Sequence, residues 1–228
     1  MDSLLDVHDE VVACRACPRL VEWREQVAHD KRAAYRDWEY WGRPVPGFGD
    51  RGARILVLGL APAAHGGNRT GRVFTGDRSG DWLYRAMYRA GLANQPTSES
   101  VDDGLELAGA WVTAAVKCAP PDNRPTPAER DTCRPYLERE LALLPELRII
   151  VCLGAIGYEA ACRELGVRPR PRFGHGVEVP GVGPQRRYGL ICSFHPSQQN
   201  TFTGRLTEPM LDAVFTRAVA LAADRSGR

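Results

Sequence analysis

Lysine is nearly missing from this chain. Of its 30 basic residues only Lys31 and Lys117 are lysines, and the others are arginine. Coding bias alone would account for that, yet guanidinium forks also suit phosphate oxygens better than ammonium groups do. The runs 168-RPRPRF-173 and 186-RR-187 are therefore candidate phosphate-facing patches, with solvated loops as the plainer reading. A dominant charge sign is missing too: 30 basic against 28 acidic residues leave a formal net charge of +2, which points to no partner. No apolar run approaches the ~18 residues that a membrane span needs. The opening MDSLLDVHDE has neither the charged n-region nor the apolar h-region of a leader. A cytosolic chain with no membrane partner is expected. The glycine-rich stretch 59-GLAPAAHGG-67 fails the G-x-G-x-x-G pattern and lacks a P-loop lysine, so nothing marks a nicotinamide, flavin or nucleoside triphosphate site. Internal repeats and low-complexity segments are absent, and a monomer is the default.

What is present is ordinary globular material. The 228 residues are 43% hydrophobic and 25% charged, enough for one large domain with a sizeable core. Four apolar runs have strand length: 54-RILVLGL-60, 110-AWVTAAVKC-118, 148-RIIVCLG-154 and 187-RYGLICSF-194. Between and after them lie helical patterns at 81–92, 127–144, 155–165 and about 204–223. Thr126, Pro127 and Glu129 form a capping-box start for the second of these helices. The first ~30 residues read as helices broken near 14-CRACP-18. Strands buried on both faces and alternating with helices predict an α/β fold: a three-layer αβα sandwich around a central four-stranded parallel sheet. Residues 1–228 form one domain, with an N-terminal helical segment over about 1–40. In such sheets ligands sit beyond the carboxyl ends of the strands. The polar loops 61–80, 119–126 and 195–203 all follow strand ends, so 195-HPSQQN-200 is read as part of a site in preference to a turn.

Seven cysteines in a cytosolic chain argue against a disulfide framework. Cys152, Cys162 and Cys192 have apolar neighbours and read as core fillers. Cys14-x2-Cys17 and Cys118-x14-Cys133 lie among Arg, Lys, Pro and Asp and make a four-thiolate metal set. Soft ligands suit zinc or an iron–sulfur cluster. Zinc modules use two tight pairs, and only one pair is tight here, which favours a 4Fe–4S cluster pinning the N-terminal helices to the sheet. Four unligated cysteines remain the plain alternative.

In combination these motifs resemble the type-b, or family 5, uracil-DNA glycosylases. The stretch 59-GLAPAAHGGNRTGRVFTGD-77 is similar to their first motif, 116-VKCAPPDNRPTPAE-129 to their middle segment and 195-HPSQQN-200 to their third. The cysteine spacing resembles that of the superfamily's iron–sulfur branches. The resemblance covers nearly the whole chain. It implies a monofunctional DNA glycosylase that flips out and excises uracil, and other deaminated bases such as hypoxanthine and xanthine, from double-stranded DNA, with single-stranded DNA as a further candidate partner. It also implies base excision repair and a 4Fe–4S cofactor. By the same resemblance Asp77, His195 and Asn123 are catalytic. Phe74 stacks on the extruded base, in a pocket shared with Gly59, Ala61, Pro62, Ala63, His65, Ser197 and Asn200. Asn68, Arg69, Arg72, Gln198, Gln199 and Arg205 meet DNA.

The chemistry asks for such groups, because the base leaves with negative charge while the sugar gains positive charge. Several of these residues have plainer roles open to them: a helix N-cap for Asp77, a turn for Asn123, a core ring for Phe74 and a backbone-satisfied imidazole for His195. The chain departs from related branches at Ala61, which cannot activate water, and at Ala114 and Ala115, where an edge-reading Asn stands elsewhere; looser base recognition follows. A non-catalytic iron–sulfur module that binds DNA or senses redox state explains the cysteines and arginines but leaves the polar strand ends unexplained.

Overall fold

The computed structural model describes residues 2–223. Two helices open it, α1 (Leu4–Ala13) and α2 (Pro18–Asp30), separated at the 14–17 cysteine turn. Ser3 caps α1 by accepting the Asp6 N–H, and Pro18 starts α2, where its missing N–H costs nothing. There follow β1 (Phe48–Gly49), β2 (Ile55–Gly59), α3 (Gly67–Thr70), α4 (Arg78–Arg89) and β3 (Ala110–Ala114). Next come α5 (Pro127–Ala142), β4 (Ile149–Leu153), α6 (Gly154–Glu164), β5 (Glu178–Val182) and β6 (Tyr188–Ser193). The short α7 (Gln198–Phe202) and α8 (Glu208–Ala223) close the described chain. Among the described residues no helix is long and apolar enough to cross a membrane.

The sheet order is β1-β3-β2-β4-β6-β5. β3, β2, β4 and β6 are mutually parallel, as the four apolar runs predict. The sheet nevertheless has six strands, because β1 and β5 add antiparallel edges. Both edges escape a reading of apolar runs for a physical reason. β1 is two residues long inside a Gly/Pro-rich loop. β5 alternates exposed and buried positions and shifts register at its glycine. Edge strands can be this short and polar because only one side of them is paired.

Helices cover both faces. α4 and α8 pack with Val57, Val112 and Val151 on one side. α5 and α6 pack with Leu56, Leu58 and Ile150 on the other. The capping box of α5 forms as its sequence predicts: Glu129 N–H donates to Thr126 Oγ1 (3.2 Å) and Thr126 N–H to Glu129 Oε2 (2.7 Å). A cap of this kind contributes about 1 kcal/mol. The N-terminal segment is tied on by ion pairs. Arg139 on α5 reaches both Asp2 (2.7 Å) and Glu10 (2.5 Å), and Arg19 on α2 donates to both oxygens of Glu129 (2.8 and 2.7 Å).

Candidate active site

β2, β4 and β6 are adjacent and parallel, so Gly59, Gly154 and the chain beyond Ser193 reach one edge together. Two aromatic side chains meet there. The Phe74 and His195 rings lie 5.8 Å apart between centroids, tilted by 36°. Glycine at two neighbouring strand ends makes the room. A Cβ on Gly59 would stand 2.6 Å from Phe74 Cζ, and one on Gly154 3.2 Å from His195 Cβ. Phe74 has φ +53, a left-handed conformation that costs a bulky residue of order 1–3 kcal/mol and persists only where its surroundings enforce it. Here the preceding carbonyl, that of Val73, accepts a 2.7 Å hydrogen bond from the buried Tyr84 hydroxyl.

His195 is half-buried, and desolvation lowers its pKa to about 4, so the imidazole is neutral at physiological pH. Its backbone carbonyl accepts from Asn200 Nδ2 (2.8 Å), which fixes the turn into α7. Among the described residues neither ring nitrogen of His195 has a hydrogen-bond partner; a neutral imidazole therefore presents a free N–H beside the Phe74 ring.

Asp77 follows three residues after Phe74 and caps α4, Oδ1 accepting the Gly80 N–H at 3.0 Å. Oδ2 lies against Gly66. Asp77 is half-buried, and desolvation raises its pKa against a smaller lowering by the Gly80 and Ser79 N–H groups. Of the remaining pocket residues, Pro62 is buried, Ala61 and Ala63 are half-buried, and the Ala63 carbonyl accepts from Gly66 N (3.2 Å) and Asn68 N (3.0 Å). Ala61 also packs against the cluster of Leu20, Val116, Cys118 and Cys133. His65 turns to Tyr40, with Nδ1 3.1 Å from its hydroxyl, and desolvation followed by Arg32 and Arg69 lowers its pKa. Ala114 is wholly buried in the sheet, and Ala115 faces the α5–α6 layer.

Three DNA-contact expectations are corrected. Asn68 is 0% exposed and donates to the Arg24 carbonyl (3.1 Å). Arg69 is buried, its guanidinium carbon 3.9 Å from the Tyr35 ring centroid and 4.1 Å from that of Trp38, and it donates to the carbonyls of His65 and Gly76. Arg72 is buried as well, bonded to Thr75, Ser98 and Asp103 (3.1, 2.8 and 2.6 Å). These side chains hold the loop in place. Asn123 sits at φ +55 in an exposed turn, with no side-chain hydrogen bond among the described residues. The arginine runs are displaced too. Arg168 and Arg170 line a groove of about 620 Å³ between α5 and α6 that includes neither Phe74 nor His195. Arg187 donates to the Leu144 and Leu147 carbonyls.

The second polar segment behaves differently. Ser197 holds the N-cap position of α7 without a side-chain cap bond. Gln198, Gln199 and Arg205 are exposed, and the Arg205 guanidinium lies 4.5 Å over the Phe194 ring. Residues that the sequence reading did not single out also stand here. Phe202 is 69% exposed, with Arg78 4.8 Å over its ring. An aromatic inside a polar run was the available signal. Gly154, directly after a strand, was a second.

Cys14, Cys17, Cys118 and Cys133 line one small cavity with Leu20, Pro44 and Val116. The other three cysteines lie in the α5–α6 side of the core or beside it. Burial raises the Cys118 and Cys133 thiols to about 11 and about 12. Arg24 Nη1 donates to Cys118 Sγ (3.1 Å) and Lys117 N–H to Cys133 Sγ (3.2 Å). Among the described residues no three metal-ligating side chains already stand at binding distance from one point. The donor set nevertheless fits a soft metal centre: four thiols from three distant parts of the chain share one apolar cavity with N–H donors aimed at two of them.

An α/β sheet whose strand ends gather a ring pair, a carboxylate and an exposed polar helix is the frame of a base-excising enzyme, and the chain belongs to the uracil DNA glycosylase superfamily, whose family model matches residues 46–218. Within that superfamily it falls among the type-5 enzymes. It is 55% identical over 223 residues to the type-5 uracil-DNA glycosylase of Mycobacterium tuberculosis, covering 96% of this chain and 82% of that protein. It is 53% identical over 213 residues to the type-5 uracil-DNA glycosylase of Thermus thermophilus (93% and 95% covered). The type-4 uracil-DNA glycosylase of Sulfurisphaera tokodaii is more distant, 32% identical over 156 residues (68% and 56% covered).

Proposed function

We propose that this member of the type-5 uracil-DNA glycosylases excises uracil and other deaminated bases, hypoxanthine and xanthine among them, from DNA as a monofunctional enzyme at the start of base excision repair. It acts in the cytosol as a single copy. The observation that carries this reading is the neutral, partner-free imidazole of His195 beside the left-handed Phe74. An extruded base stacks on Phe74. As the C1′–N bond breaks, negative charge gathers on the base, and the His195 N–H donates to its carbonyl oxygen. The Asp77 carboxylate, in surroundings of low dielectric, favours the cationic sugar. Water adds to C1′, and its proton leaves to the base or solvent. Ala61 has no group to assist that water, which leaves Asp77 as the carboxylate of the motif.

Breadth of substrate is supported by what stands at the end of β3. Ala114 and Ala115 offer methyl groups and backbone where related branches carry an edge-reading Asn. A site without that amide discriminates weakly between base edges. Selection then begins earlier, because a mispaired base costs least to unstack. The exposed α7 segment with Gln198, Gln199, Phe202 and Arg205 enters the duplex and holds it open.

The same reading assigns Cys14, Cys17, Cys118 and Cys133 as ligands of a 4Fe–4S cluster. When bound, such a cluster supplies a cross-link between the α1–α2 segment, the end of β3 and α5, and no step of base release passes through it.

The test is a base-release assay on duplexes that each carry one altered base. Abasic sites are expected with uracil and, more slowly, with hypoxanthine and xanthine. Release of uracil alone removes the breadth, and intact strands throughout with excess enzyme remove the activity. Brown anaerobic protein containing iron and acid-labile sulfide is expected; colourless protein with stoichiometric zinc overturns the cluster.

A further inference from the structure

α2 buries a guanidinium that the glycosylase chemistry does not use. Arg24 is 2% exposed. A buried charge is costly unless it is paired, and the nearest carboxylate, on Glu25, is 3.9 Å away and 45% exposed. The close contacts of Arg24 are with the cysteine set. Nη1 donates to Cys118 Sγ at 3.1 Å and Nη2 to the Cys14 carbonyl at 3.2 Å. Nε is buried with no partner. The other buried cation beside the thiols, Lys117, is already matched by Glu140 Oε2 at 2.8 Å. Neutral thiols do not repay the burial of an arginine; an anionic metal–thiolate centre does.

We propose that Arg24 is the counter-ion of the cysteine centre, offsetting its net negative charge through Cys118 and clamping its two halves together through Cys14. This rests on the reading that the four thiolates hold a 4Fe–4S cluster. Hydrogen bonds and charge at cluster sulfurs raise the reduction potential by favouring the more negative, reduced state. Partners around a metal site also retain the metal, and their loss costs about 10–100-fold in affinity. The position of Arg24 has a second consequence. Its own carbonyl accepts from Asn68 Nδ2 (3.1 Å), so α2 stands between the thiols and the loop that carries Phe74.

The experiment compares the parent with Arg24→Met, Arg24→Gln and Arg24→Lys, all purified anaerobically. It measures iron per chain, the decay of visible absorbance under a chelator, and the cluster's midpoint potential. Arg24→Met is expected to lose its cluster about 10–100-fold faster than the parent and to show a lower potential. Arg24→Lys keeps the charge but not the two-pronged reach, so its potential stays nearer the parent's while its decay is still faster. If Arg24→Met does not fold, Arg24→Gln carries the comparison, because it lacks the charge and keeps an N–H donor. Parent-like decay and potential in the uncharged variants overturn the counter-ion role. A parent that contains no iron overturns it as well; that result is seen before any variant is compared and locates the failure in the cluster reading.

Discussion

Segment 61–77 turns its polar side chains inward, while segment 195–205 turns several of them out, although both follow strands at the same edge of the sheet. In the first, Asn68, Arg69 and Arg72 are buried and held by carbonyls, rings and Asp103. In the second, Gln198, Gln199, Phe202 and Arg205 face solvent. The difference divides the labour of a glycosylase. Phe74 needs an enforced left-handed backbone, so its loop spends its hydrogen-bonding groups on itself. A duplex must be met by groups that are still free, and those stand on α7 and just after it.

The largest expected effect tests the inward half. Arg72→Ala leaves the Asp103 carboxylate without its buried partner, and breaking such a pair costs about 3–5 kcal/mol. Urea unfolding should register a loss of that size, and salt should change it little. A loss below about 0.5 kcal/mol, the range of ordinary surface substitutions, would return Arg72 to the DNA-contact role.

Next in size is the chemistry between the two segments. His195→Ala is expected to slow single-turnover release of uracil by about 10²–10³-fold, the usual cost of removing one donor to a developing anion, with little change in DNA affinity. Unchanged single-turnover rates would remove the role. The pH dependence separates His195 from Asp77. Desolvation lowers the His195 pKa to about 4, so its N–H form persists throughout the neutral range. Protonated His195 still carries N–H donors, whereas the Asp77 carboxylate, its pKa raised by desolvation, is lost as pH falls. The acid limb of the rate profile should therefore survive in His195→Ala and vanish in Asp77→Asn. Stability has its own sign. An unfolded histidine takes up a proton below its ordinary pKa of 6.5, while folded His195 resists until about 4, so the native state loses stability as pH falls through that window. His195→Ala should flatten the loss.

Much of this arrangement was legible in the sequence. The four parallel strands, the α5 capping box and the meeting of Phe74 with His195 follow from apolar runs, cap residues and the rule that strand ends converge. The direction of polar side chains was not legible. Arg72 and Arg205 are the same residue type in similar loops, and Ser98, Asp103 and the Phe48 ring, which come near Arg72 through folding, help decide that it turns inward. Arg24 was hidden for the same reason: its partner Cys118 is 94 residues away. Asn123 shows the converse, a motif position whose geometry is already explained by an exposed left-handed turn.

The outward half carries smaller effects. Phe202 is 69% exposed, and under the proposed function its ring is free to stack in an opened duplex. Stacking of one base on an aromatic contributes about 1–3 kcal/mol. Phe202→Ala should weaken binding to uracil-containing duplex by about that amount and leave binding to single-stranded substrate less affected, because a single strand has no gap to fill. Equal losses on both substrates would place the ring on the strand in place of the opened stack.

Arg205→Ala is the gentlest change and the cleanest contrast with Arg72→Ala. Its guanidinium rests over the Phe194 ring and stays exposed. A phosphate contact predicts weaker binding to every sequence alike and a salt dependence shallower by about one counterion. Folding stability should stay within about 0.5 kcal/mol of the parent. The opposite pattern, lost stability with an unchanged salt slope, would mean that Arg205 serves Phe194, and that the outward segment, like the inward one, uses its arginine for structure.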